Sequence, residues 1–205
     1  TAQGGDIHTY PELGYGNLLD QKVKIETANT LKKLSRIIYT SRRLKEEMIQ
    51  LGANPDRMSY VVNGTPYHNI QSDKRETIRK SLGIDDDTML FVCISRNSTI
   101  KGLHLVLEAV KKIRDVKYKF KVVIGGLHTE KLQPVVENNG LANHIKIIGT
   151  LPVEIDPSTK IPLMPTRAVV DYLCASDVFL APALSGGFEL SAMDAMAAGL
   201  AIIIS

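Results

Sequence analysis

Two groups of residues in this chain of 205 amino acids have types and spacings that suit phosphate and sugar chemistry. The first group is Arg96 and Lys101, which follow an apolar segment typical of a buried strand. Arginine binds a diphosphate through paired hydrogen bonds, and lysine binds it as a point charge. The pair therefore indicates a diphosphate site. The alternative is that both side chains are solvated surface charges.

The second group begins at the turn Gly186-Gly187, between an apolar segment ending at Pro182 and a helix rich in alanine. Glycine lets a ligand approach the backbone, and a helix start offers unpaired N–H groups and the positive end of the helix dipole. Asp194 lies in the predicted helix, where its carboxylate can reach sugar hydroxyls. An ordinary tight turn followed by a solvated aspartate fits the same pattern, so both readings stay open at this point.

Apolar runs alternate with amphipathic patterns along the chain and predict strands and helices in turn. The predicted strands cover residues 36–41, 59–62, 89–94, 120–124, 144–148, 178–182 and 201–204. The predicted helices cover residues 20–34, 44–51, 74–82, 103–113, 132–137 and 169–175, with one more after the glycine turn. This alternation predicts an α/β fold with a doubly wound, mostly parallel sheet and helices on both faces.

Two of the helical patterns also predict which residues face a core. In the first helix the expected inner residues are Val23, Ala28, Leu31 and Leu34. In the helix over residues 103–113 they are Leu103, Val106, Leu107, Val110 and Ile113. Residues 152–165 carry several prolines and predict an irregular surface loop.

Three predicted strand ends offer cations or bare backbone at one sheet edge. In open α/β sheets ligands bind beyond the carboxyl ends of the strands. Arg96 and Lys101 follow one strand, Gly125-Gly126 end the next, and Gly186-Gly187 follow a third. Together they favour a phosphate-bearing ligand. The sequence contains neither a Gly-x-Gly-x-x-Gly segment nor a Gly-Lys-Ser/Thr loop, which disfavours a nicotinamide enzyme or a P-loop ATPase.

Composition excludes several classes of function. The net charge of +3, from 25 basic and 22 acidic residues, is too small to indicate a nucleic-acid partner. No apolar stretch approaches the ~18 residues of a membrane-spanning helix, and no signal-peptide pattern is present. Cys93 and Cys174 lie in apolar segments without metal-ligand spacing, so we interpret them as buried thiols of a cytoplasmic protein.

Five segments, taken in chain order, carry a family resemblance: Arg96 to Gly102, Val123 to Gly126, Ala175 to Pro182, Gly187-Phe188 and Ala195 to Gly199. They resemble the retaining glycosyltransferases of family 4, within the glycosyl transferases group 1. That family folds as two facing Rossmann-like domains, the GT-B fold, with the active site between them. The resemblance extends over nearly the whole chain.

The resemblance implies how the chain is divided. Residues 1–65 correspond to the carboxyl-terminal part of the acceptor-side Rossmann-like domain, and residues 66–73 to a linker. Residues 74–205 correspond to a nucleotide-sugar (donor) binding Rossmann-like domain, truncated at its carboxyl terminus. Because the chain begins without Met and stops just after a predicted strand, we expect it to be a fragment.

The resemblance also implies an activity, the transfer of a hexose from a nucleotide-diphosphate sugar to a glycan, lipid-linked or polysaccharide acceptor. Arg96 and Lys101 would hold the diphosphate and offset the charge that grows on the leaving group. No metal and no other cofactor is then expected. The donor-binding residues that it implies are Gly125, Gly126, Gly186, Gly187, Phe188, Leu190 and Asp194. Two alternatives are a sugar-nucleotide 2-epimerase and a non-catalytic nucleotide-sugar binding protein.

The chain departs from the family pattern on the donor side. The family has paired glutamates, of which the second falls on Asp194 and the first on Gly186, which has no side chain. Glu189 lies close by in sequence, where the family usually has glycine. Its carboxylate either substitutes for the missing one or obstructs the sugar, and we include it among the expected catalytic residues.

The chain also departs on the acceptor side. A His-Gly-x-Asp-like segment of the family corresponds to Gln3, Gly4, Gly5 and Asp6, with Gln3 at the histidine position. His8 follows two residues later and is a further acceptor-side candidate.

Basic residues outnumber acidic ones between Lys22 and Arg57. A basic face there is compatible with peripheral contact to the inner face of a membrane. A solvated helix face is the alternative.

Overall fold

A computed structural model of the chain describes residues 4–185 and 189–205. These residues form two compact units. The first unit contains the described chain up to Gly64, together with Ser185 and Glu189. The second unit contains Thr65–Leu184 and Leu190–Ser205. Each unit has a hydrophobic core of its own.

The first unit is built from two helices and a pair of parallel strands. In chain order its elements are α1 (Gln21–Lys33), β1 (Ile37–Tyr39), α2 (Arg42–Gln50) and β2 (Met58–Tyr60). Side chains define both helix starts, because Asp20 accepts hydrogen bonds from the first amides of α1 and Ser41 accepts one from Leu44 in α2. The core residues are Ile7, Leu31, Ile37, Leu44, Met48 and Ala53.

The predicted inner position of Leu34 is wrong. Its backbone is extended, with ψ near 133°, because α1 ends at Lys33 and Leu34 caps it. The side chain therefore leaves the helical stripe and is 39% exposed, whereas Leu31 one turn earlier is buried. The helical period places a residue on the inner face only while the helix continues.

The second unit is a five-stranded parallel sheet with helices on both sides. In chain order its elements are α3 (Arg75–Ser81), β3 (Met89–Ile94), α4 (Leu103–Ile113), β4 (Phe120–Gly125), α5 (Gln133–Asn138), β5 (Ile145–Gly149), α6 (Arg167–Ala175), β6 (Val178–Ala181), α7 (Leu190–Ala197) and β7 (Ala201–Ile204). The strand order is β5-β4-β3-β6-β7, and each neighbouring pair is parallel. This confirms the predicted doubly wound α/β fold.

Two apolar clusters cover the two faces of this sheet. On one face α4 packs its buried stripe, Leu103, Val106, Leu107 and Val110, against Val122 and Ile124. On the other face α6 and α7 pack against residues such as Leu90, Val92 and Phe179. The strands therefore have to be apolar on both faces. Ile113, predicted to face the core, is 42% exposed because it is the last residue of α4.

Residues 152–165 form the predicted irregular loop, with an isolated bridge between Ile155 and Pro162. No helix among the described residues combines the length and apolar character needed to cross a bilayer.

Candidate functional site

The strand order places a topological switch point between β3 and β6 in the second unit. From β3 the chain proceeds to β4 and β5 on one side, and it then returns to β6 and β7 on the other side. Connections leave β3 and β6 in opposite directions, and in open α/β sheets ligands bind beyond the carboxyl ends of the strands at such a point. The sheet edge at this switch point is the candidate site, and the residues beyond β3 and β6 form its walls.

The wall beyond β3 contains both predicted cations. Arg96 is exposed, and Lys101 is partly buried in a short 3-10 turn, Thr99–Lys101. Gly102 follows with a left-handed backbone, φ +64°, and α4 begins directly after it. No side chain of the described residues caps the start of α4. Both cations and the positive end of a helix dipole therefore lie in one loop at the predicted sheet edge.

The loops beyond β3 and β6 are joined through backbone contacts. The amide of Leu184 donates to the carbonyl oxygen of Ile100 over 2.8 Å. A Cβ atom built at Gly102 would overlap the carbonyl oxygen of Pro182. Only glycine fits this left-handed position against another backbone, and it fixes the Lys101 turn beside Pro182 in the loop that follows β6.

The predicted bare backbone at the end of β4 lies next to the β3 loop. Gly126, with φ +126°, is so close to Ser95 that an added Cβ would overlap the Ser95 backbone. Gly125 is buried, and a Cβ there would lie 2.7 Å from the side chain of Ile148. The Ser95 amide donates to the Gly125 carbonyl over 2.9 Å. Both glycines are needed for close packing between neighbouring strand ends.

The predicted donor residues Gly186, Gly187 and Phe188 lie outside the described residues. Glu189 precedes α7, and Leu190 is the exposed first residue of that helix. Asp194 lies farther along α7 and is partly buried.

The carboxylate of Asp194 has a specific partner in the second unit. Its Oδ1 accepts a hydrogen bond from the hydroxyl of Thr65. Burial raises the pKa of Asp194, and the Thr65 hydrogen bond lowers it, so that the pKa remains above its ordinary value. Asp194 is therefore neither a fully solvated carboxylate nor a buried unpaired one.

On the acceptor side, Gln3 lies outside the described residues, and Gly4, Gly5 and Asp6 form a short 3-10 turn. Asp6 is exposed, and its Oδ1 accepts a hydrogen bond from Asn17 over 3.4 Å.

His8 is the buried member of a polar cluster in the first unit. Its side chain is 1% exposed, and Nδ1 lies 2.5 Å from Oε2 of Glu47. The Nε of Arg43 donates to the other oxygen of Glu47 over 2.8 Å, and the Arg43 guanidinium lies over the Tyr10 ring. The Tyr10 hydroxyl accepts a hydrogen bond from Ser185. His8 is thus held inside the unit rather than presented to solvent.

The surroundings of Glu47 favour its charged form. Burial raises the pKa of Glu47, but the hydrogen bonds from Arg43 and His8 together lower it by more than burial raises it. The pKa of Glu47 therefore lies below its ordinary value.

Sequence reasoning missed Thr65 and the contact of Gly102 with Pro182. Thr65 lies in an Asn-Gly-Thr-Pro segment, which predicts a turn but does not predict a hydrogen bond to a residue of α7. For Gly102 a signal existed, because glycine between a short turn and a strong amphipathic helix suggests a left-handed backbone.

A doubly wound parallel sheet with loops that meet at its switch point defines a Rossmann-like domain. Comparison with protein families identifies its kind. The chain belongs to the glycosyl transferases group 1 family, whose model matches residues 74–205. The matched segment includes all five strands of the second unit and both walls of the candidate site.

Similar proteins agree with this membership. Glycosyltransferase MJ1607 of Methanocaldococcus jannaschii, itself uncharacterized, is 26% identical over 177 residues, which are 83% of this chain and 42% of that protein. D-inositol 3-phosphate glycosyltransferase of Rhodococcus jostii is 25% identical over 175 residues, 82% of this chain and 36% of that protein. The chain therefore spans less than half the length of either relative.

A solved structure shares the fold. Anabaena Alr3699/HepE, crystallised with UDP, superposes with a TM-score of 0.74 at 18% identity, covering 98% of this chain and 51% of that chain.

Proposed function

We propose that the protein is a retaining glycosyltransferase that moves a hexose from a nucleotide-diphosphate sugar to a glycan, lipid-linked or polysaccharide acceptor. The observation that carries this proposal is the joined pair of loops at the switch point, which hold Lys101 beside the start of α4. Membership of the group 1 family supports it. The related fold of HepE, crystallised with UDP-glucose, supports a nucleotide sugar as the donor.

In this proposal the β3 loop stabilises the leaving group. When the bond between the sugar and the diphosphate breaks, negative charge grows on the diphosphate oxygens. Lys101 and Arg96 offset that charge, and the first amides of α4 add the positive end of a helix dipole. With the charge neutralised by side chains and amides, the reaction uses neither a metal nor another cofactor.

Two carboxylates bind the ribose and the hexose of the donor. Asp194 accepts hydrogen bonds from the ribose hydroxyls. Glu189, just before α7, accepts hydrogen bonds from the hexose, the role left open by Gly186. The positive end of the helix dipole at the start of α7 attracts a carboxylate there.

The acceptor side is assigned to the first unit, through the turn at Gly4, Gly5 and Asp6. We also propose that the protein works in the cytoplasm and touches an anionic membrane through the basic residues of α1 and α2, most of which are exposed.

The test is calorimetric titration of the protein with UDP, ADP and GDP. Lys101→Ala should weaken binding of the preferred nucleotide by about 1.5–3 kcal/mol, the range for hydrogen bonds to charged groups. Lys112→Ala, an exposed lysine at the other end of α4, is the matched control and should bind like the wild type. Unchanged affinity in Lys101→Ala, or binding of none of the three nucleotides by the wild type, would contradict the proposal.

Incubation with labelled nucleotide sugars then identifies the reaction. Transfer of label to an acceptor or to water supports a glycosyltransferase. Release of an epimerised donor would instead indicate an isomerase, and binding without turnover a non-catalytic sugar-nucleotide binding protein.

A further inference from the structure

The carboxylate of Asp194 is held at one oxygen by a residue distant in sequence. The Thr65 hydroxyl donates to Oδ1 across a separation of 129 residues. Within residues 4–185 and 189–205, Thr65 is the one hydrogen-bond partner of this side chain. The second oxygen, Oδ2, thus remains to accept hydrogen bonds from a ligand.

A hydrogen bond at one oxygen matters because aspartate controls the plane of its carboxylate weakly. Rotation about the terminal torsion is broad, so packing of the chain leaves the direction of the two oxygens loosely defined. Asp194 lies on a regular helix, which fixes its Cα and Cβ. A donor on Oδ1 then determines where Oδ2 points. Such preorganisation reduces the entropy that a ligand loses on binding.

We infer that Thr65 is a positioning residue, which orients Asp194 so that Oδ2 meets the ribose hydroxyls of the nucleotide. This inference rests on the proposed function, because it assumes that Asp194 binds ribose. Thr65 is also the first residue of the second unit, directly after Gly64 at the end of the first.

The charged and titratable groups on the elements packed against α7 are either paired with other residues or neutral at pH 7. β6 and β7 carry none, and α6 carries Arg167, Asp171, Tyr172 and Cys174. Asp171 accepts a hydrogen bond from Ser72 over 2.5 Å and pairs with Arg167 at 3.3 Å. Burial raises the pKa of Tyr172 and of the Cys174 thiol, which keeps both neutral at pH 7.

These surroundings determine the sign of the pH effect. Burial holds the pKa of Asp194 above its ordinary value, and Thr65 opposes that rise by stabilising the ionised form. The ionised carboxylate is an acceptor at both oxygens, whereas protonation turns one of them into an O–H donor and weakens it as an acceptor. Nucleotide affinity should fall as the pH drops through this pKa. Removal of the Thr65 hydroxyl raises the pKa further, so the fall begins at a higher pH.

The experiment compares Thr65→Val, which removes the hydroxyl at nearly constant shape, with Thr65→Ser, which keeps it. The matched control is Thr159→Val, at an exposed loop threonine. Each variant is titrated with inorganic pyrophosphate, which lacks ribose, and with whichever of UDP, ADP and GDP the wild type binds most tightly. Thr65→Val should bind the nucleotide roughly fivefold to tenfold more weakly. Its pyrophosphate affinity should stay unchanged, and Thr65→Ser and Thr159→Val should match the wild type.

The nucleotide titrations are repeated between about pH 4.5 and 7.5. The pH dependence of binding should stay the same if Thr65 has only a structural role. Affinity of Thr65→Val should begin to fall at a higher pH than affinity of the wild type. Asp194→Asn, which does not titrate at this position, should lose that component of the pH dependence. If Thr65→Val does not fold, Thr65→Ala takes its place.

Failure of this inference differs from failure of the proposed function. A wild type that binds none of the three nucleotides refutes the function itself. A wild type that binds a nucleotide while Thr65→Val keeps the same affinity and pH profile overturns only the role of Thr65. Equal losses for nucleotide and pyrophosphate would also overturn it, since they would indicate a general distortion of the site.

Discussion

Asp194 and Glu189 are close in sequence, and in the proposed mechanism each carboxylate binds a different part of the donor. Asp194→Ala should weaken a nucleoside diphosphate and its nucleotide sugar alike, because both contain ribose. Glu189→Ala should weaken only the nucleotide sugar, because the bare nucleotide lacks the hexose. Each loss should be about 1.5–3 kcal/mol, measured by calorimetry with both ligands.

The control for this pair is Glu108→Ala, at an exposed glutamate on α4, which should bind both ligands normally. Equal losses for both ligands in Glu189→Ala would refute the sugar-side role of Glu189. No loss for either ligand would leave Glu189 as a charge at the start of a helix.

At the residue scale the sequence predicts which element or loop contains a residue better than it predicts which residues its side chain contacts. Arg96 and Lys101 could be placed in one loop because a continuous apolar strand precedes them. The partner of Asp194 could not be predicted, because the hydrogen bond to Thr65 spans 129 residues and depends on tertiary packing. His8 shows the same limit. Its type suggests proton chemistry, but burial against Glu47 is visible only in the fold.

At the scale of elements, the strongest patterns gave the most accurate bounds. The strand β3 and the helix α4 have the predicted limits, because one is a continuous apolar run and the other keeps a regular stripe over three turns. The strands β1 and β2 are shorter than predicted, with three residues each. Val61 and Val62 continue the apolar run past the end of β2, so only pairing with a neighbour decides where that strand stops.

Gly102 tests whether the contact between the β3 and β6 loops shapes the site. Gly102→Ala should lower the free energy of unfolding by about 1–2 kcal/mol from its left-handed backbone and about 1–3 kcal/mol more from overlap with Pro182. Nucleotide affinity should fall as well, because the Lys101 turn must move. Urea denaturation and calorimetry measure the two effects.

Gly140 provides the matched control for that substitution. Its backbone has nearly the same left-handed φ, +65° against +64°, but an added Cβ would meet nothing within 4 Å. Gly140→Ala should therefore show the backbone cost alone and keep normal nucleotide affinity. If both variants lose the same stability and both bind nucleotide normally, the loop contact has no role in the site.

For the whole molecule, the net charge of +3 conceals an uneven distribution. Basic residues exceed acidic ones over α1 and α2, and Lys22 and Lys33 are exposed at the two ends of α1. On a regular helix these two lysines share the side opposite the buried Leu31. A surface of this kind attracts an anionic bilayer with about 1 kcal/mol for each basic residue near it.

We therefore expect the protein to sediment with vesicles of phosphatidylglycerol and phosphatidylcholine, but not with phosphatidylcholine alone. The double variant Lys22→Gln/Lys33→Gln should bind the anionic vesicles roughly thirtyfold more weakly, since two lysines at about 1 kcal/mol each are removed. Lys111→Gln/Lys112→Gln removes the same charge from α4 in the other unit and should bind like the wild type. Binding should also weaken as salt is raised, because screening shortens the range of the attraction. Equal losses in the two double variants would mean that net charge alone, rather than the α1 surface, attracts the membrane.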